Sequence, residues 1–177
     1  MSYSESRILL SSQREGQVSR YRAWVFLVIP LAAILFQVYV PLFFNFLSFL
    51  DMPLLVVMYF ALVRRRQVTG LLLGAVVGLA QDSLSKNYLG MYGIANTLVG
   101  YFAASMGMRI DVDRSAIRLL LMFVFYLFHH ALYWVLGRAL LGQQISFEIQ
   151  RTLMLALLNA VVGVPLYIVM DQLRERS

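Results

Sequence analysis

Between residues 23 and 170 the chain is cut into six apolar blocks, and the length of those blocks is what most limits its fold. They run over residues 23–42, 50–63, 68–84, 90–107, 119–141 and 153–170, separated by short polar or basic breaks. A helix needs about 20 largely apolar residues to cross a hydrocarbon core of about 30 Å. Inside that core the backbone must satisfy its own N–H and C=O groups, so only helices and closed barrels span it. Composition points the same way. Hydrophobic residues make up 60% of the chain and charged ones 14%, with a mean hydropathy of +0.73; soluble domains have about 45–50% and about 25%. A soluble domain, a disordered tail and a secreted disulfide scaffold are all poor fits. The chain has no cysteine, which removes disulfides, thiolate metal sites and a cysteine nucleophile.

The sequence therefore predicts an all-α membrane protein with six transmembrane helices. A basic tail (residues 1–22) precedes the transmembrane domain (residues 23–172), and residues 173–177 form a short second tail. The second block is the shortest, since Asp51 and Pro53 interrupt it. Residues 43–50 either complete it as helix or form an apolar loop at the outer interface.

Charge placement gives an orientation. Basic residues collect in cytoplasmic loops. With six crossings and both termini cytoplasmic, twelve of the fifteen basic residues lie inside, leaving Lys86, Arg138 and Arg151 outside. Arg64, Arg65 and Arg66 form one cytoplasmic basic loop, and Arg109, Arg114 and Arg118 another, suited to anionic lipid or cytoplasmic partners. This accounts for the net charge of +6 without a nucleic-acid partner. Trp24, Tyr39, Tyr88, Tyr92, Trp134 and Tyr167 fall near predicted helix ends, where interfacial aromatic anchors belong.

Polar residues within the blocks are few: Gln37, Gln81, Asp82, Asn96, His129, His130 and Asn159. Such groups are costly in hydrocarbon and point to function. At 1.5 Å per residue, most of them fall in the outer half of the membrane. Two readings stay open. They form interhelical hydrogen bonds, or Gln37, Asp82, Asn96, Asn159 and His129 line an outward-opening cavity for a ligand or a partner's helix. Gly70, Gly74 and Gly78 recur at four-residue spacing, continued by Asp82 and Lys86. They share one helix face, bare enough for another backbone to approach closely. That face serves internal packing or a partner, a second copy of the chain included. Asp82 and Lys86 are expected to pair at i,i+4 on the outer rim. His129 and His130 point about 100° apart and cannot form one ligand face; packing with Tyr126 or Tyr133 is expected. No nucleophile elbow, zinc motif or phosphate loop is present, so no catalytic residue, metal or cofactor is predicted.

One ordered series of residues carries a resemblance. It comprises Asp51-Met52-Pro53, then Gly70, Gly74, Gly78 and Asp82 at four-residue intervals, Leu84-Ser85, Leu89-Gly90, and Thr97-Leu98-Val99-Gly100-Tyr101, with Gln37 and Pro41 upstream. This stretch resembles the rod shape-determining MreD family of bacteria. Lys86-Asn87 departs from it where the family often has a glycine after the serine, and the N-terminal tail is longer than expected. The resemblance implies a non-enzymatic component of the cell-elongation machinery in the bacterial cytoplasmic (inner) membrane. It would scaffold peptidoglycan synthesis with MreC, the actin-like MreB, the RodA glycosyltransferase and a class B penicillin-binding transpeptidase. It also implies a fold similar to the six-helix substrate-binding subunits of energy-coupling-factor transporters. On this reading the glycine face and the outer cavity receive a segment of MreC. The competing class is a vitamin-binding subunit of such a transporter.

Overall fold

The computed structural model describes residues 24–85, 88, 90–112, 114–142 and 148–173. The basic tail (residues 1–22), Lys86 and residues 174–177 lie outside the described residues. Among the described residues six α-helices follow one another: α1 (Val25–Tyr39), α2 (Met52–Arg64), α3 (Gln67–Leu84), α4 (Met91–Arg109), α5 (Ser115–Leu141) and α6 (Ile149–Gln172). Each covers one apolar block, with its ends shifted by a few residues, and no strand occurs among the described residues. Residues 43–50 are neither a continuation of a long helix nor plain loop. Two short 3-10 helices, Val40–Leu42 and Asn45–Phe49, carry the chain from α1 towards α2.

Among the described residues four segments are long and apolar enough to cross a membrane: Val25–Leu42, α3, α5 and α6. Helix α4, with Asn96, Thr97, Ser105 and three glycines, is not among them, and α2 has only 13 residues. The chain is a multi-pass helical membrane protein.

The short α2 occupies the middle of the bundle. Asp51 caps its first turn by accepting from the Leu54 N–H at 3.3 Å, and Pro53 stands in that turn. Asp51 and Pro53 thus mark a helix start rather than an interruption, because proline's missing N–H is needed least there. At the other end Arg65, at φ 54°, closes the helix in the left-handed region. Every residue from Pro53 to Val63 is buried. A helix apolar on all sides has no wet face and belongs in the interior, and α2 touches each of the other five helices.

The outer helices bury one side only. Leu27, Leu31 and Leu35 of α1, Leu72 and Val76 of α3, and Leu157, Val161 and Ile168 of α6 are exposed. A water-soluble surface rarely carries so large an apolar area, and a lipid-facing one does. Two expected interfacial anchors pack inside the bundle, one fully and one in part. Tyr167 is buried against α2 and donates to the Leu55 carbonyl at 3.1 Å. Tyr92 is partly buried and stacks on His129, with ring centroids 5.8 Å apart.

Candidate functional site

The glycine series of α3 lies along α4, which runs antiparallel to it. A methyl group built on Gly70 would overlap the Gly100 carbonyl; on Gly74, the Asn96 carbonyl; on Gly78, the Tyr92 carbonyl. The contact is reciprocal, since a methyl on Gly100 would overlap the Gly70 carbonyl. With backbone against backbone along the seam, no second helix fits between. Of the two readings of this face, internal packing is what the geometry shows: α4 of the same chain lies along it.

Asp82 closes that seam at one end. The carboxylate is 1% exposed and accepts three backbone N–H groups: Gly90 and Gly93 on Oδ2, both at 2.9 Å, and Tyr92 on Oδ1 at 3.1 Å. These are first-turn donors of α4, which have no partner within their own helix. A carboxylate there also meets the positive end of the helix dipole. Gly90 stands at the cap with φ 100°, a conformation that side-chain-bearing residues rarely adopt. The rim pairing with Lys86 falls on a residue outside the described ones, and Asp82 faces the α4 backbone rather than the rim.

A second polar centre forms around Asp51. Its backbone N–H donates to Asn159 Oδ1 at 2.8 Å, and Asn159 Nδ2 donates to the carbonyls of Phe49 at 2.8 Å and Leu155 at 3.0 Å. The next N–H, of Met52, donates to Gln37 Oε1 at 3.2 Å. One carboxylate oxygen of Asp51 caps α2, and the other lies 3.9 Å from His129 Nδ1. Asn96 Nδ2 donates to Gln81 Oε1 at 3.3 Å. His130 stacks on Tyr126 at 4.6 Å between ring centroids, and Tyr133 packs on Tyr92 at 4.9 Å.

Gln37, Asp82 and Asn159, three residues assigned to an outer cavity, thus hold backbone groups of the chain itself. Asn96 and His129 are buried as well. A shallow, open apolar groove of about 300 Å³ runs beside the α3–α4 seam, lined by residues such as Ala75, Leu79, Ile94 and Thr97, and none of the five lines it. The sequence reading missed Asp51 as part of this group. The signal was an Asp two residues before a Pro ahead of an apolar run, which marks a helix N-terminus.

At the opposite end of the bundle, Arg118 of α5 is buried. Its Nε donates to the Val112 carbonyl at 2.6 Å and its Nη1 to Asp171 Oδ2 of α6; Tyr59 of α2 donates to Asp171 Oδ1 at 2.8 Å. Assigning Arg118 to an exposed basic loop is corrected: it ties three helices together. The other basic residues sit differently. Arg66, Arg109 and Arg114 are exposed, with Arg114 3.9 Å from Asp111. Arg65 is partly buried, and the Arg64 guanidinium covers the Phe26 ring at 4.3 Å. Among the described residues no group of three His, Asp or Glu side chains could hold a metal.

A bundle whose carboxylates and amides hold helix ends and backbone, wrapped in an apolar belt, defines a multi-pass helical membrane protein. The family model of the rod shape-determining protein MreD matches residues 19–176, nearly the whole chain, and the protein belongs to that family. Comparison with curated proteins and with solved structures returns no match. Membership gives the protein a role in the rod-shape machinery.

Proposed function

We propose that the chain is a non-enzymatic scaffold of the bacterial cell-elongation machinery, seated in the cytoplasmic membrane and acting through contact with MreC. MreC in turn links it to MreB, RodA and the class B transpeptidase. The family match over residues 19–176 carries this reading. The polar interior supports it, because Asp82, Gln37 and Asn159 are engaged with the chain's own backbone. All six helices cross the bilayer in this proposal, α2 and α4 sheltered by the four more apolar spans, in a fold like that of the energy-coupling-factor subunits. Both termini are cytoplasmic, since twelve of the fifteen basic residues then lie inside. Exposed Arg66, Arg109 and Arg114 then face anionic headgroups or cytoplasmic partners. With the glycine seam filled by α4, MreC docks on the outer surface of the bundle.

Depletion of the protein in its own bacterium tests this. Rods are expected to widen and round up while MreC loses its patchy distribution along the side wall. Cells that keep their rod shape and MreC pattern after depletion would refute it.

A further inference from the structure

Residues 40–49 expose Leu42, Phe43, Phe44, Phe46 and Phe49, with Phe43 80% and Phe46 65% accessible, and carry no charge. A soluble loop of that composition would be an aggregation hazard. Its depth follows from helix lengths. The Arg64 guanidinium lies over Phe26, which sets the end of α2 level with the start of α1. From that level, Val25–Leu42 rises about 27 Å, nearly the full hydrocarbon thickness of about 30 Å, whereas the 13 residues of α2 rise only about 20 Å. The chain must therefore come back down into the membrane between Leu42 and Asp51.

Two contacts fix the same depth independently. Gln37, which holds the Met52 N–H, lies twelve residues, about 18 Å, from the start of α1. Asn159, which accepts the Asp51 N–H and donates to the Phe49 carbonyl, lies eight residues, about 12 Å, beyond Arg151, the exposed cation in the first turn of α6. Irregular backbone at such depth must be satisfied by protein. Here the N–H groups of Phe43 and Phe44 reach Val40 O, those of Leu47 and Leu50 reach Phe44 O and Leu47 O, and Ser48 Oγ donates to Asn45 O. The exposed faces also continue the apolar belt of α1 through Leu35 and Tyr39.

We infer that residues 40–49 form a re-entrant segment immersed in the acyl chains of one leaflet, with Gln37 and Asn159 as the clamps that let irregular backbone sit there. The leaflet is the outer one in the orientation proposed above, but immersion itself does not depend on that orientation. The partner this surface fits is phospholipid hydrocarbon, and the segment roofs the Asp51–His129 centre with lipid rather than water.

The chain has no native cysteine, so single-cysteine variants of the full-length protein can be spin-labelled directly. Phe46→Cys and Phe43→Cys, both at exposed positions outside the core, are compared in phosphatidylethanolamine–phosphatidylglycerol nanodiscs. Leu31→Cys on α1 is the lipid-facing reference and Glu148→Cys before α6 the aqueous one. Collision with oxygen relative to a water-soluble nickel chelate is expected to match Leu31→Cys and to exceed Glu148→Cys by about an order of magnitude. A chelate-accessible label at both positions would overturn the inference in favour of an aqueous loop. A label shielded from both reagents would overturn it in favour of a protein cover, a second copy included.

Discussion

The backbone N–H of Gly93 lies 2.9 Å from Oδ2 of Asp82, so the first turn of α4 is capped by a side chain from the end of α3. The same carboxylate takes the N–H groups of Gly90 and Tyr92. One residue thus fixes where α4 begins, and the glycine seam fixes how closely it runs beside α3.

Asp82→Ala should be among the more damaging single changes at that end. Buried donors left without an acceptor cost about 1–3 kcal/mol each, more when the lost acceptor is charged. Asp82→Asn keeps one oxygen and turns an NH2 group towards donors, so it should destabilise by about 2–3 kcal/mol. Thermal unfolding in mild detergent is expected to rank wild type above Asn and Asn above Ala. An unchanged Asn variant would show that the three contacts contribute little.

Gly74→Ala and Gly74→Leu test the seam. Even a methyl on Gly74 meets the Asn96 carbonyl, a backbone atom that cannot rotate away. Forced overpacking costs about 1–3 kcal/mol and more for larger groups. Ala is expected to lower the midpoint of unfolding and Leu to prevent recovery of monodisperse protein, while Leu72→Ile on the exposed side of α3 is tolerated. Normal yield and stability for Gly74→Leu would contradict the packing.

The Arg118–Asp171 pair should behave as one unit. Arg118 is buried and Asp171 partly so, so removing one partner leaves a poorly compensated charge, at the lower end of the about 3–5 kcal/mol that a fully buried pair carries. Arg118→Ala and Asp171→Ala are each expected to destabilise strongly, and the double variant by clearly less than their sum. Arg118→Lys should not rescue, since one ammonium cannot copy the two-nitrogen reach to Val112 O and Asp171. Additive losses in the double-mutant cycle would argue that the two residues act separately.

Asn159→Leu preserves bulk and removes three hydrogen bonds, to Asp51, Phe49 and Leu155. Two of these hold non-helical backbone at membrane depth, where an unpaired polar group is expensive. Hydrogen exchange is expected to rise at Asp51 N–H while α6 itself stays protected. Equal exchange in the variant and the wild type would rule out the clamp.

The apolar blocks made six helices legible because each is a largely apolar run set off by polar or basic breaks, the short second one included, and the glycine spacing identified the face that packs closest on a neighbouring backbone. What that face meets was not legible. Four-residue spacing marks a bare helix side but says nothing of whether the chain's own α4 or another protein fills it. Depth counting put Gln37 and Asn159 in the same half of the membrane, yet their partners are main-chain atoms of residues 49–52, which sequence pattern does not display. Asp51 was hidden for a related reason: it stands before a short helix, so it read as a break in a span. Arg118 looked like a loop cation because it follows Arg109 and Arg114, and only the return of α6 supplies Asp171.

The account rests on contact with MreC, and the most direct measurement is what stays bound when the tagged protein is purified in mild detergent from its own bacterium. Mass spectrometry is predicted to recover MreC in near-stoichiometric amount, with RodA and its transpeptidase below it. A preparation that lacks MreC and instead carries a transporter ATPase module or a tightly held vitamin would contradict the account.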